Sequence, residues 1–466
     1  MRKLYKACAL LSAFAIGGGS LGLFSDVKGS ADVLPPTYTD GNEMLETEFF
    51  LGAWCEPDLS DTEFEKYMDY GFNVMYLNSD VQYNTRRFLE YLKKCDEYGL
   101  KAIMASGGNR VTPTSLKYQE TSLADYPAFY GICAIDEPLG DGSPREEDEI
   151  QATERTNWES HNTVYDYMYS EYEYLSETYP GKFFGSVINY GPDEGDFGYG
   201  SLDAYVTYVL SKIPQQDRVL EFDKYPYSVL RNGSFSLTDA YLWTLYRAAE
   251  VSKELSVEKR IYYYQQWWPF AMREYLSAQE ITYQLYSAMC FGVNGFTAYK
   301  YASYWADYND FENFTMNSAW GETELNYYNQ VALNEIKNFD YIYLNFADDW
   351  QGVMKVPGSE YTDGAMGNFS YLTGEYVLDS YAGISAVTAT QDTIIGVMKD
   401  KEGRDGYMLS NQSFTLDRRT DIVSVTFANA THALVVEKGE IRTAELTDGT
   451  YTVELEPGSG AFVIPY

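Results

Sequence analysis

Between Glu48 and Phe339 the chain repeats one pattern eight times: a short apolar run of strand character, then a longer stretch with apolar residues at helical spacing. The runs are Glu48–Trp54, Asn73–Asn78, Lys101–Ser106, the stretch from Gly131 to Ile135, Lys182–Tyr190, Arg218–Tyr227, Lys259–Trp268 and Gly295–Tyr301. Among the helical stretches, Ser60-Asp61 caps the first, which runs to Tyr70-Gly71, and Gly99 stops the second, Thr85–Tyr98. Asn162–Thr178 ends at Pro180-Gly181, and Ser201–Lys212, Thr238–Leu255, Ala278–Phe291 and Thr323–Phe339 complete the series. Parallel strands joined by helices must be covered on both faces, and eight such units predict a closed (β/α)8 TIM barrel, since doubly wound sheets rarely need eight strands.

Past Leu344 the period changes. Val353–Pro357, Ile394–Met398, Gly406–Asn411, Val423–Phe427, Ala433–Glu437 and Thr450–Leu455 are short runs separated by Gly, Asp and Asn turns, which predicts a smaller all-β sandwich. The fold class is therefore α/β, with the barrel over residues 47–343 and the sandwich over 344–466. Ahead of them, Met1-Arg-Lys-Leu-Tyr-Lys, the apolar Ala7–Phe24 and the small residues Gly29-Ser-Ala31 read as an export signal over residues 1–31. Residues 32–46 read as a linker, and the mature protein is expected to start near Asp32, secreted or extracytoplasmic and free of the membrane once the signal is cleaved.

Charge narrows the partners. A formal net charge of -35 repels phosphate, which argues against nucleic acid and anionic lipid and for a neutral or cationic substrate. The two histidines, His161 and His432, fall in a helical and a β segment, so histidine metal sites and Ser-His-Asp triads have almost no material; no metal and no cofactor are expected. Cys55, Cys95, Cys133 and Cys290 stand singly, without metal-ligand spacing, and read as free thiols. Acid–base work must fall to carboxylates. The 46 tyrosines and 8 tryptophans favour carbohydrate, whose rings stack on aromatic faces, although most of these residues have packing to do.

The fourth run, Gly131-Ile-Cys-Ala-Ile-Asp136-Glu137-Pro138, ends abruptly in two acids and a proline. A carboxylate at the carboxyl end of a buried parallel strand lies where barrels place their chemistry, and alternation gives Asp136 and Glu137 opposite faces and different tasks. A plain solvated strand end has the same sequence. At the other strand ends the register predicts Trp54 and Glu56, Asn78, Asn189 and Tyr190, Asp223 and Tyr225, Gln265 with Trp267 and Trp268, and Lys300 with Tyr301 around one mouth. Glycosidic hydrolysis needs one carboxylic acid to protonate the leaving oxygen and a second carboxylate to attack or to activate water. Catalysis is accordingly assigned to Glu137, Asp223 and Asp136, and glycan contact to the remaining residues.

Barrel plus sandwich resembles the exported bacterial glycoside hydrolases of the large (β/α)8 clan. The residues carrying the resemblance are Ile135-Asp136-Glu137-Pro138, Phe222-Asp-Lys-Tyr-Pro-Tyr227, Gln265-Gln-Trp-Trp268, the stretch from Glu280 through Gly292-Val-Asn-Gly295 to Tyr301, Ile395-Gly-Val-Met-Lys-Asp400 and Gly458-Ser-Gly-Ala-Phe-Val463. The resemblance implies an acid/base role for Glu137, which matches the clan's strand-four glutamate. It also implies a nucleophilic glutamate closing strand seven, where this chain has Gln265-Gln266 and no acid before Glu274. An amide cannot form a glycosyl ester. Three accounts follow: Asp223 is the second carboxylate; Asp136 and Glu137 work with a substrate group as nucleophile; or the barrel binds glycan without cleaving it.

Overall fold

The structure is a computed structural model that describes residues 34–77, 85–105, 123–136, 162–190, 202, 205–229, 235–237, 240–257, 261–267, 276–301, 317–318, 321–322, 324–360, 366–413 and 419–466. Eight parallel strands close into the barrel: β1 (Phe50–Ala53), β2 (Val74–Leu77), β3 (Lys101–Ala105), β4 (Phe129–Asp136), β5 (Phe183–Asn189), β6 (Leu220–Asp223), β7 (Ile261–Gln266) and β8 (Gly295–Tyr299). Every one falls on an expected run, seven with ends trimmed by up to four residues and β4 extending two residues before and one after its run. Around them lie α1 (Asp61–Asp69), α2 (Thr85–Tyr98), α3 (Asn162–Thr178), α4 (Tyr241–Leu255), α5 (Ala278–Met289) and α6 (Glu324–Lys337), followed by a short α7 (Asp340–Tyr343). Ser60 caps α1 by accepting the Glu63 N–H at 3.3 Å, and Ser277 with Glu280 forms a capping box on α5. Within the stretch expected to be helical over Ser201–Lys212, Val206–Leu210 form a π-helical turn.

Alternation along the strands sorts side chains into two cores. Inward go Phe50, Tyr76, Ile103, Cys133, Phe183, Val187, Tyr262 and Tyr264; outward, against the helices, go Leu51, Met75, Phe184, Phe222 and Tyr263. The lower interior is a stack of rings, with Phe50 at 4.3 Å from Tyr262 and Phe183 at 5.7 Å from it. Gly185 is required here, because a Cβ would overlap the carboxylate of Glu221 across the sheet.

The C-terminal strands are β9 (Asp349–Val356), β10 (Val377–Leu378), β11 (Ile384–Ala389), β12 (Thr393–Lys399), β13 (Asp405–Asn411), β14 (Asp421–Phe427), β15 (His432–Glu437), β16 (Glu440–Glu445), β17 (Thr450–Leu455) and β18 (Gly460–Pro465). They form a seven-stranded sheet, β10-β9-β12-β13-β18-β15-β16, facing a three-stranded one, β11-β14-β17. One face of the larger sheet (Ile395, Val397, Tyr407, Leu409, Val463) meets the smaller sheet. Its other face (Ile394, Met398, Met408, Phe462) joins the barrel's outer core. Gly396 sits against the end of α5, where a Cβ would overlap the Cys290 carbonyl, and Trp350 Nε1 donates to that carbonyl at 3.0 Å. Gln412 bridges the same helix, accepting from Tyr283 at 3.0 Å and donating to Ser287 at 3.1 Å. Residues Pro35–Tyr466 accordingly make one compact unit. Cys95, Cys133 and Cys290 are buried free thiols.

Two expectations test this packing. Gly396→Ala should cost about 1–3 kcal/mol, read as a lower denaturation midpoint, because backbone rather than a movable side chain occupies the space. Asp340 of α7 accepts the Phe49 N–H ahead of β1 at 3.3 Å and its neighbour Tyr341's at 2.7 Å. Burial nevertheless pushes its carboxyl up from 3.8 to about 7. The folded state thus holds this proton where the unfolded chain releases it, so this group's contribution to stability is fully present below about 3.8 and is lost as pH rises towards 7. Asp340→Asn should flatten that fall by on the order of 4 kcal/mol across the window in denaturant titrations; equal slopes for the two proteins would refute the assignment.

Candidate active site

The carboxyl ends of β4, β5, β6 and β8 bring together Asp136, Asn189, Asp223 with Tyr225, and Lys300. Asp136 is exposed, Asn189, Tyr225 and Lys300 are half-buried, and Asp223 is buried. Asn189 lies level with Asp223 on the neighbouring strand, and Asp223 level with Tyr264 on β7. Asp223 keeps the inward parity of its strand, and its charge is felt by the hydroxyls of Tyr190 and Tyr263. Glu137, Asn78 and Trp268 lie outside the described residues.

A register shift in β4 changes the reading of Asp136. Cys133 is level with Gly185, but the next pair is Asp136 with Val187, so β4 carries one extra residue there. Ser186 holds the shifted backbone by donating to the Ile135 carbonyl at 2.5 Å. The bulge returns Asp136 to the parity of Val187, an inward residue, and its charge reaches the Cys133 thiol inside the barrel. Plain alternation from Ile132 could not show this.

Several residues expected to line the opening are instead packed away. Trp54 is only 4% exposed and roofs the interior, its ring 5.4 Å from Tyr76 and 5.7 Å from Tyr264. Trp267 has outward parity, is fully buried 6.3 Å from Phe72, and donates from Nε1 to Gln265 at 3.3 Å, so Gln265 too is inside the protein. Tyr190 donates to the Thr244 carbonyl of α4 at 2.8 Å, and Tyr301 packs 4.9 Å from Tyr67. Glu56 is buried in the helix layer, where its charge is felt by the Tyr67 and Tyr91 hydroxyls. The common reason is that strand ends flank the outer core as well as the mouth, and only parity decides which. Gln266, next to Gln265, is structural: its side chain accepts the Tyr227 N–H at 2.8 Å and donates to the Tyr227 carbonyl at 3.0 Å.

Two groups were missed. Tyr299, the last residue of β8, is half-buried with its ring 5.7 Å from Tyr225. Glu221, two residues before Asp223, is fully buried inside the barrel. Its Oε1 accepts from Tyr76 at 2.5 Å and from Tyr264 at 3.3 Å. Burial pushes its carboxyl up to about 7, against the opposing pull of Tyr76, Tyr264 and the Cys133 thiol. The signal was present: in Val219-Leu-Glu221-Phe-Asp223, inward parity for Asp223 demands it for Glu221. Among the described residues no group of three or more His, Cys, Asp or Glu is placed to hold a metal ion.

No protein-family model matches the chain, and neither does any curated protein. Solved structures are similar to it at TM-scores below 0.5. The beta-galactosidase from the psychrophilic Marinomonas ef1 is 12% identical, with a TM-score of 0.43, over 65% of this chain and 62% of its own. This chain therefore spans less than two thirds of that enzyme's length. The endo-beta-1,4-mannanase from Thermotoga petrophila is 11% identical over 89% of this chain and 99% of its own, with a TM-score of 0.40. The GH27 b-L-arabinopyranosidase from Geobacillus stearothermophilus is 9% identical over 90% and 96%, with a TM-score of 0.44.

Proposed function

We propose that the protein is an exported glycoside hydrolase that cleaves a glycosidic bond in a neutral or cationic glycan by carboxylate acid–base catalysis. The observation that supports this most is the meeting of two acid-bearing strand ends on one barrel mouth. Asp136 ends β4 with inward parity and Asp223 ends β6, with only β5 and its Asn189 between them. Two strand spacings of about 4.8 Å and a register offset of two residues put these two backbones roughly 12 Å apart, and side chains leaning inward shorten that towards the separations at which paired carboxyls work.

Glu137, next to Asp136 in the chain, serves as proton donor. It protonates the glycosidic oxygen as the bond to the anomeric carbon breaks, while Asp223 or Asp136 attacks that carbon or takes a proton from water. Asn189, Tyr225 and Lys300 supply hydroxyl and ring contacts. A second reading, glycan binding without cleavage, is favoured by the end of β7: Gln265 and Gln266 are both buried, and neither is a carboxylate.

Assayed on a panel of aryl glycosides, Glu137→Gln and Asp223→Asn should each lower kcat by about 10²–10⁴ while glycan binding persists. A wild-type protein that binds glycan without turning over any of the panel, with Glu137→Gln binding equally well, would replace this reading by the second. Export carries its own expectation: protein recovered outside the producing cells should begin near Asp32 by mass spectrometry, and an intact Met1 would refute signal cleavage.

A further inference from the structure

The hydrolase reading makes no use of Glu221, although it is the most deeply placed acid near the mouth. Its Oε1 is gripped by Tyr76 from β2, across the barrel, and by Tyr264 from the neighbouring β7. Those two rings are the ones on which Trp54 rests. Backbone bonds tie Trp54 in turn to the end of β8, its N–H to the Ala298 carbonyl at 2.9 Å and its carbonyl to the Tyr301 N–H at 2.8 Å. On the remaining side, the Cys133 thiol feels both Glu221 and Asp136. We propose that Glu221 is a positioning residue of the barrel mouth, acting through Tyr76 and Tyr264 on Trp54 above them and through its charge on Asp136.

Uncharged, the Glu221 carboxyl fits an interior with little to solvate an anion: its Oε2 has no hydrogen-bond partner among the described residues and lies against Gly185. Ionised, it strengthens the bonds from Tyr76 and Tyr264, drawing both rings inward and altering the seat of Trp54. It also places a negative charge one layer beneath Asp136 and Asp223, which makes both hold protons more tightly. The titratable groups facing it are Tyr76 from β2, Tyr130, Cys133 and Asp136 from β4, Asp223 from β6, Tyr262 and Tyr264 from β7, and Tyr299 from β8. Of these, only the two aspartates are carboxylic acids; Asp223 lies two residues beyond it on β6 and Asp136 ends β4. Its raised proton affinity sets the switch near pH 7.

The first test needs no substrate, so it stands apart from the hydrolase reading on which the effect on Asp136 depends. Intrinsic tryptophan fluorescence of the full chain is titrated from pH 5 to 9. The wild type should show a transition near pH 7, which Glu221→Gln abolishes and Trp54→Phe strongly reduces. Tyr76→Phe, which removes a bond to the charged form without opening a cavity, should move the midpoint up by about one pH unit and covers the case of a Glu221→Gln protein that does not fold. A wild-type titration unchanged in Glu221→Gln or in Tyr76→Phe overturns the proposal. Where turnover is measurable, Glu221→Gln should shift the alkaline limb of kcat/KM, which the proton donor Glu137 next to Asp136 in the chain sets, to lower pH, and limbs that coincide overturn the link to the mouth carboxylates.

Discussion

A carboxyl group enclosed by an eight-stranded barrel meets a medium that will not solvate its charge, and much of this interior can be understood as the answer to that constraint. Glu221 receives two phenol hydroxyls, a nearby thiol and a glycine across the sheet that makes room for it. The rings that supply those hydroxyls then determine where the next layer, headed by Trp54, can lie. The tyrosine excess of the sequence therefore has a specific use inside the barrel, as amphipathic filling that is apolar at the ring and a donor at the tip.

The architecture was legible because burial on two faces writes long, regular signals. Barrel strands appear as apolar runs, and the helices between them as period-3.6 stripes stopped by glycine and proline. Failures came where the signal was short or polar. The edge strand β16, Glu440–Glu445, is mostly exposed and so shows no apolar alternation, and β11 is half-exposed for the same reason.

The site was less legible than the fold, and for a different reason. Composition and strand-end position identify acids and aromatics near a mouth, but whether a side chain enters the barrel or the helix layer depends on the parity of one residue. The bulge between Cys133 and Asp136 reverses that parity within β4. Trp267 and Tyr301 fell on the other side of the same choice. Glu221 was readable in principle, since it shares a face with Asp223, yet a charged residue in mid-strand invites a solvent-facing reading until the barrel is known to close.

The seven-stranded sheet, buried on both faces, has a consequence for how this protein could evolve. One side of it completes the sandwich and the other forms the outer wall of the barrel around α5. An appendage joined through a shared apolar layer cannot be exchanged between proteins as a cassette. Removing it would strip the barrel of its lining along Tyr283, Tyr286 and Cys290, and a replacement would need matching relief at Gly396 and Gly406, so the two halves are expected to have diverged together rather than been assembled from separate stocks.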